Sequence, residues 1–228
     1  MNRASLPGRD FALFCRQFFT SFHTTGALVP SGAGLARSLS EPIRRLAPPK
    51  RILEAGPGTG AVTARILALL EPGDELVLSE INPAFAARLK NRLETDETWS
   101  RRAGQVDLRT GNVLELLRRG SFDAVVSGLP LNNFEGGFVD DLLTGFLETL
   151  RPGGVHTFFE YCGLRSIRMR MGRPADRNRL RAVDDAVKRN LGEAPCQRKT
   201  VYVNLPPAWV YQVWESARAR GRGDGGDI

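Results

Sequence analysis

The residues with the clearest chemical potential are one glutamate and three alternating glycines: Glu54, Gly56, Gly58 and Gly60. They stand between a short apolar run at residues 51–55, which predicts a buried strand, and a stretch with helical character. Glycine is needed where the backbone turns sharply or lets a ligand come into contact, since a Cβ atom would block both. Strand, glycine turn and helix together predict the first unit of a nucleotide-binding α/β domain, with the ligand beyond the carboxyl end of the strand.

The spacing of the glycines indicates which nucleotide this turn would bind. In the dinucleotide fingerprint G-x-G-x-x-G, the third glycine comes one residue later than it does here. The acidic side chain of Glu54, two residues before the first glycine, is unfavourable next to a pyrophosphate and suits a ligand with positive charge and hydrogen-bond donors. An NAD enzyme is therefore disfavoured. The pattern E-x-G-x-G-x-G after a strand resembles the first motif of the Rossmann-like S-adenosylmethionine (SAM) methyltransferases.

A second acidic residue, Glu80, ends the next predicted strand, residues 74–80. This acidic group after the glycine turn is placed to accept hydrogen bonds from both ribose hydroxyls; the alternative is an exposed carboxylate in a charged loop. Asn112 follows the third predicted strand, where a polar side chain of these methyltransferases meets the adenine amine. Asn112 could also cap a helix, and both roles are compatible. The predicted cofactor site further includes Ile81, Val113 and Ser127.

Composition and charge indicate a globular protein with an anionic partner. The chain has 228 residues, a net charge of +7 and a pI near 9.9, which fits one domain that binds nucleic acid or an anionic lipid surface. Its three cysteines, Cys15, Cys162 and Cys196, are scattered, which argues against a disulfide framework and for a reducing compartment. No apolar run is long enough to span a bilayer, and the first residues lack the apolar core of a signal peptide. We therefore expect a cytoplasmic protein.

Two further stretches could contact a membrane. Phe11, Phe14, Phe18 and Phe22 lie on one face of a predicted helix. This helix could pack over the cofactor domain, or it could lie in a membrane surface with its phenylalanines at the acyl boundary. The second stretch is a basic tract beyond the fifth predicted strand, which could be a solvated face or a phosphate-binding surface. Its arginines include Arg165, Arg168 and Arg170.

Four segments resemble the bacterial soluble phospholipid N-methyltransferases, which convert phosphatidylethanolamine toward phosphatidylcholine. They are G-A-L-V-P-S at residues 26–31, E-A-G-P-G-T-G at 54–60, S-G-L-P-L-N-N-F at 127–134 and N-L-P-P-A-W-V-Y at 204–211. The resemblance implies SAM as methyl donor, S-adenosylhomocysteine as product and no metal. It also implies an aminophospholipid acceptor and peripheral association with an anionic membrane, at the inner face of the cytoplasmic membrane. We expect no nucleic-acid partner and a monomer in solution.

The fold implied by this resemblance is a Rossmann-like α/β fold. It has a seven-stranded, mostly parallel sheet with helices on both faces, and its last strand is antiparallel. We assign residues 1–48 to an N-terminal helical and membrane-docking extension and residues 49–217 to the methyltransferase domain. Residues 218–228 are rich in glycine and arginine and are expected to be a disordered tail.

The acceptor site is predicted where the fourth and fifth strands end. Under the family resemblance, Glu160 or Tyr161 could accept the amine proton or orient the amine, and Asn132 completes the predicted catalytic set. Tyr161 and Phe134 could also hold methylated ammonium groups by cation–π contact, and Leu129 belongs to the predicted acceptor surface. The alternative for these side chains is packing in the core and at the rim of the site.

Other functions fit parts of the same pattern. An rRNA adenine N6-methyltransferase shares the fold and would explain the charge by phosphate contacts. Its fourth motif combines a polar residue, leucine, proline and an aromatic residue to hold a flipped base, whereas residues 128–131 read G-L-P-L. Departures from the phospholipid family at L-N-N-F in the loop and at E-Y-C-G after the fifth strand leave the headgroup open. An ornithine-lipid N-methyltransferase and a SAM-binding membrane regulator without turnover therefore also fit the sequence.

Overall fold

The computed structural model describes residues 32–117, 122–192, 194–204 and 206–215. Phe11, Phe14, Phe18 and Phe22 lie outside the described residues, as does the segment 26–31. The same holds for the tail at residues 218–228. The predictions made for these parts of the chain stay predictions.

Within the described ranges, seven strands form one sheet in the order β3-β2-β1-β4-β5-β7-β6. The first five strands pair in parallel, β7 is antiparallel to β5, and β6 is antiparallel to β7. The predicted seven-stranded, mostly parallel sheet is thus confirmed. The strands are β1 (Arg51–Ala55), β2 (Glu75–Glu80), β3 (Val106–Thr110), β4 (Phe122–Ser127), β5 (Leu150–Tyr161), β6 (Cys196–Val201) and β7 (Ala208–Trp214).

Helices cover both faces of the sheet, which also agrees with the prediction. They are α1 (Ala33–Ser40), α2 (Ala61–Leu67), α3 (Pro83–Thr95), α4 (Glu97–Ser100), α5 (Val113–Leu117), α6 (Gly136–Glu148), α7 (Leu164–Met171) and α8 (Pro174–Gly192). Apolar side chains of α1 to α4 form one core with Ile52 and Phe159 of the sheet. Those of α5, α6 and α8 form a second core with Leu53 and Phe158. Successive residues of a strand point to opposite faces of the sheet, so β1, β2, β4, β5 and β7 contribute side chains to both cores.

Two helical regions differ from the sequence-based prediction. The sequence predicts a helix that is capped by Ser31 and runs to about Leu46. In the structure α1 ends at Ser40 and tightens into a 3-10 turn over Glu41–Arg45, where Pro42 interrupts the α-helical hydrogen bonding. The basic tract forms two helices, α7 and α8, separated at Gly172. A Cβ atom at Gly172 would lie 2.5 Å from the carbonyl oxygen of Arg168, so the tight turn requires glycine.

The amino end of the sheet contains a buried ion pair. Lys50 Nζ lies 2.9 Å from Asp74 Oδ2 and 2.8 Å from Glu71 Oε1. The Asp74 carboxylate also accepts hydrogen bonds from the backbone N–H groups of Lys50 and Glu71. Because Lys50 and Asp74 are paired and hydrogen-bonded, they hold the start of β1 against the turn before β2. The candidate site lies at the opposite, carboxyl end of the sheet.

Candidate active site

The glycine turn after β1 has the backbone conformation that its sequence predicts. Gly56, Gly58 and Gly60 have φ angles of 71°, 56° and 82°, a region that favours glycine. A Cβ atom at Gly56 would lie 2.6 Å from Leu129, and one at Gly60 would lie 2.5 Å from Trp99. A Cβ atom at Gly58 would have no atom within 4 Å. Two glycines therefore allow close packing, whereas Gly58 borders open space that a ligand could occupy.

Glu80 is buried directly beside this turn. Its Oε2 atom accepts a hydrogen bond from the backbone N–H of Gly58 at 2.9 Å, and its Oε1 atom accepts one from Asn82 at 2.8 Å. Burial raises the pKa of Glu80, whereas these backbone hydrogen bonds act in the opposite direction. The Gly58 contact was not anticipated from the sequence, because it joins residues 22 positions apart. Glu80 therefore stabilises the glycine turn, at the position where the sequence predicts that it contacts a ribose.

Glu54 is the most perturbed carboxyl group at this end of the sheet. The side chain is fully enclosed, and its Oε2 atom has no hydrogen-bond partner among the described residues. Burial raises the pKa of Glu54 to about 8; the charge of Glu80 acts in the same direction, and Thr63 opposes it. An enclosed carboxyl group with an unused oxygen is suited to a ligand that brings positive charge or hydrogen-bond donors.

The remaining predicted cofactor residues lie at the ends of the neighbouring strands. Asn112 Oδ1 accepts a hydrogen bond from the backbone N–H of Leu114 at 3.1 Å, so Asn112 does cap α5. A cavity of about 360 Å³ opens beside Asn112, and the predicted adenine contact stays a prediction. Val113 is buried in the core, and Ile81 is partly buried against it. Ser127 Oγ accepts a hydrogen bond from the backbone N–H of Leu129 at 3.3 Å.

The loop after β4, residues 128–134, packs directly on the glycine turn. The backbone N–H of Gly128 donates to the carbonyl of Ala55 at 2.9 Å, and a Cβ atom at Gly128 would lie 2.8 Å from the carbonyl oxygen of Gly56. Leu129 and Phe134 are buried, and the Phe134 ring packs against Phe138 with centroids 5.2 Å apart. This burial fits the packing alternative for Leu129 and Phe134, and their predicted contact with the acceptor stays a prediction.

The predicted catalytic residues divide between the two faces of the sheet. Glu160 and Asn132 both contact the Arg165 guanidinium on the α8 side, and Asn132 Oδ1 accepts from Arg165 Nε at 2.8 Å. Tyr161 points to the other face and packs edge-on against Phe159, with ring centroids 5.3 Å apart. Burial raises the pKa of the Tyr161 phenol, which makes it a weaker candidate for proton acceptor. The structure therefore groups Glu160 with Asn132 and sets Tyr161 apart.

The three arginines predicted for phosphate or membrane contact have different surroundings. Arg165 is only 9% exposed and is paired with Glu160 and Asp184. Arg168 donates to Asn133 Oδ1 at 3.3 Å, whereas Arg170 is exposed. The expectation of a surface role is thus corrected for Arg165, because its charge is neutralised inside the protein. Sequence reasoning missed this, since a basic tract carries no local signal for which arginine is buried.

Two sequence comparisons identify the family. A protein-family model described as a methyltransferase domain matches residues 53–156. An ornithine lipid N-methyltransferase of Singulisphaera acidiphila is 30% identical over 148 residues, which cover 64% of this chain and 75% of that relative. The chain belongs to the SAM-dependent methyltransferases. In the part of this methyltransferase that the structure describes, no helix is long and apolar enough to cross a membrane.

Solved structures share the fold of this methyltransferase. A putative O-methyltransferase from Klebsiella pneumoniae aligns with a TM-score of 0.63 and 18% identity over 94% of this chain and 92% of its own. The O-methyltransferase TomG from Streptomyces achromogenes, solved with SAM, aligns with a TM-score of 0.61 and 19% identity over 81% and 79% of the two chains. At these identities the similarity establishes the fold alone.

The carboxyl end of the sheet in this methyltransferase fits SAM. The unused buried oxygen of Glu54 suits a cationic ligand, and the open space at Gly58 lets a ligand approach the backbone. Glu80 and Asn112 stand at the ends of the next two strands, where hydroxyl and amine groups can be bound. When bound, SAM supplies an electrophilic methyl group on a sulfonium sulfur. The described ranges contain no group of three or more His, Cys, Asp or Glu side chains that could hold a metal ion.

Proposed function

We propose that this methyltransferase transfers methyl groups from SAM to the amine of a membrane lipid, with phosphatidylethanolamine and its mono- and dimethyl forms as acceptors. The observation that supports this most is a set of exposed apolar side chains at the acceptor end of the sheet. We call it the apolar rim. It consists of Ile167, Met171, Tyr202 and Val203, which are 55%, 84%, 79% and 84% exposed.

The two segments that carry the apolar rim adjoin the end of the sheet where the predicted acceptor residues lie. Helix α7 begins at Leu164, three positions after β5 ends. The turn between β6 and β7 meets the same edge, because Tyr161 pairs with Ala208 and the N–H of Cys162 donates to the carbonyl of Pro207 at 2.8 Å. Both segments therefore follow the carboxyl end of the sheet, and large exposed apolar side chains at one end of a domain are typical of an interaction surface. A lipid amine could reach this edge without leaving the membrane surface.

Charge beside the apolar rim favours an anionic leaflet. Arg170 and Arg173 are exposed, and Arg168 is partly exposed. A basic side chain near an anionic membrane contributes roughly 1 kcal/mol, so these arginines would support reversible docking. Arg165 is not counted, because two carboxylates neutralise it.

The chemistry requires little of the protein beyond alignment. A lipid amine must approach the methyl group in line and as its free base, with water excluded. Glu160 and Asn132 offer oxygen acceptors for the N–H groups of that amine. The proton released on methylation would leave through Glu160 or to solvent at the rim.

A second acceptor is favoured by a separate observation. The relative that shows the family is named an ornithine lipid N-methyltransferase, and its similarity covers most of that protein. Ornithine lipid is therefore the second candidate. Both acceptors present a primary amine at a lipid headgroup, and the proposed function is N-methylation of that amine.

The test is methyl transfer from labelled SAM into liposomes that contain an anionic lipid with either phosphatidylethanolamine or ornithine lipid. We expect labelled lipid with at least one of the two, and loss of the label in Glu80→Ala. Glu75→Ala, on the same strand but at its other end, is the matched control and should keep activity. If SAM binds but neither lipid is labelled, the proposal is wrong. Transfer to ribosomal RNA in a parallel reaction would identify the rival function.

A further inference from the structure

We infer that Arg165 is a positioning residue, which together with Arg179 holds Asn132 and Glu160 in the arrangement that receives the acceptor amine. The hydrogen bonds and ion pairs of Arg165 and Arg179 support this positioning role. Its expected effect on kcat rests on the proposed function.

Arg165 joins three elements that are distant in sequence. Its Nε donates to Asn132 Oδ1 in the loop after β4, and its Nη1 donates to Asp184 Oδ1 on α8, both at 2.8 Å. Its Nη2 forms an ion pair with Glu160 at the end of β5. The planar guanidinium can satisfy three partners in three fixed directions, which the single ammonium of lysine cannot reproduce.

Arg179, on α8, holds the same loop from its backbone. Its Nη1 donates to the carbonyl oxygens of Asn132 at 2.7 Å and Phe134 at 3.1 Å. The other end of the loop is anchored at Gly128, whose N–H donates to the carbonyl of Ala55 beside the glycine turn. The loop is therefore fixed at one end against the cofactor turn and at the other end by two arginines.

Stability alone does not explain a buried arginine at this place. Replacing a buried ion pair by apolar side chains is often neutral or stabilising, so such pairs are weak contributors to the free energy of unfolding. Arg165 instead fixes the positions of its two partners relative to each other. Glu160 belongs to β5 and Asn132 to the loop after β4, and the shared guanidinium sets the distance and angle between their oxygen atoms.

The experiment compares Arg165→Lys with Arg189→Lys in the full chain. Arg189 forms an ion pair with Asp140 at 3.1 Å between α8 and α6, remote from the loop, and is the matched control. We expect Arg165→Lys to lower kcat for the lipid amine by roughly 10- to 100-fold, because a misplacement of about 1 Å can cost that much. SAM affinity, measured by calorimetry, should be unchanged. Combining Arg165→Lys with Asn132→Ala should cost less than the product of the two single effects, since part of each effect passes through the contact that these two side chains share.

Hydrogen exchange supplies a readout that does not depend on activity. Arg165→Lys and Arg179→Lys should each speed exchange in residues 128–134 and leave residues 56–60 unchanged. Unchanged exchange in the loop, or wild-type kcat in Arg165→Lys, would overturn the inference. If Arg165→Lys does not fold, Arg179→Lys and Asn132→Ala decide the question by the same measurements. If the wild-type chain labels no lipid amine, the proposed function fails, whereas the exchange result still decides whether the two arginines position the loop.

Discussion

The buried carboxyl of Glu54 predicts an unusual dependence of stability on pH. Burial raises its pKa to about 8 in the folded protein, against 4.5 for an unperturbed glutamate. The folded state therefore keeps the proton over a pH range in which the unfolded chain has lost it. Its contribution to stability is fully present below pH 4.5 and is lost as the pH rises to about 8. The full loss corresponds to about 5 kcal/mol, at roughly 1.4 kcal/mol for each pH unit.

Glu54→Gln removes this titration and keeps the shape of the side chain. In the absence of SAM, the variant should gain stability relative to wild type as the pH rises. Between about pH 5.5 and about pH 7.5, the difference in the free energy of unfolding should widen by about 2–3 kcal/mol. The same variant should bind SAM more weakly, because a neutral amide cannot become the anion that a cationic ligand favours. A gain in stability together with a loss of SAM affinity would show that the Glu54 carboxyl serves ligand binding and not folding stability.

The assay is urea denaturation of the two proteins without cofactor across this pH range. Glu148→Gln, which changes an exposed carboxylate at the end of α6, is the control for the loss of one negative charge. Groups other than Glu54 titrate in both proteins, so the comparison uses the difference between them. A difference that stays constant with pH would refute the reasoning, because it would mean that Glu54 loses its proton in the folded protein as readily as in the unfolded chain.

Three other perturbations test separate parts of the structure. Lys50→Met should cost about 3–5 kcal/mol in urea denaturation, because it leaves Asp74 charged, buried and without its cation; a loss below about 1 kcal/mol would contradict this. Gly58→Ala should cost about 1–2 kcal/mol, since an L side chain at a φ of 56° is strained, and it should weaken SAM binding measured by calorimetry. Unchanged SAM affinity would show that the ligand does not approach this residue. Ile167→Ser combined with Met171→Ser should lower sedimentation with anionic liposomes by about tenfold or more, because each buried apolar side chain contributes roughly 1.5–3 kcal/mol. Equal sedimentation of variant and wild type would exclude this face of α7 from the docking surface.

The chain's local sequence determined the fold and the cofactor end of the site. The three glycines at alternate positions specify a backbone path that other residues rarely adopt, and Glu54 and Glu80 are placed by the strands that carry them. These features depend on residues close together in the chain, and the helix and strand periods are visible there. The glycine turn and the acidic residues indicated SAM as the ligand on this basis, whereas the seven-stranded, mostly parallel sheet was implied by the resemblance to the phospholipid N-methyltransferases.

Only the tertiary structure decided which side chains reach the acceptor end. Arg165 contacts Asn132, 33 positions earlier, and Asp184, 19 positions later, so its burial could not be inferred from the arginines around it. Phe134 is enclosed in the core to which α6 and α8 contribute. Glu160 and Tyr161 separate because successive strand residues point to opposite faces. Burial and charge pairing depend on which distant elements pack together, and a linear pattern does not contain that information. The sequence alone therefore determined what kind of site this is, and the packing of α7 and α8 decided which polar groups stand in it.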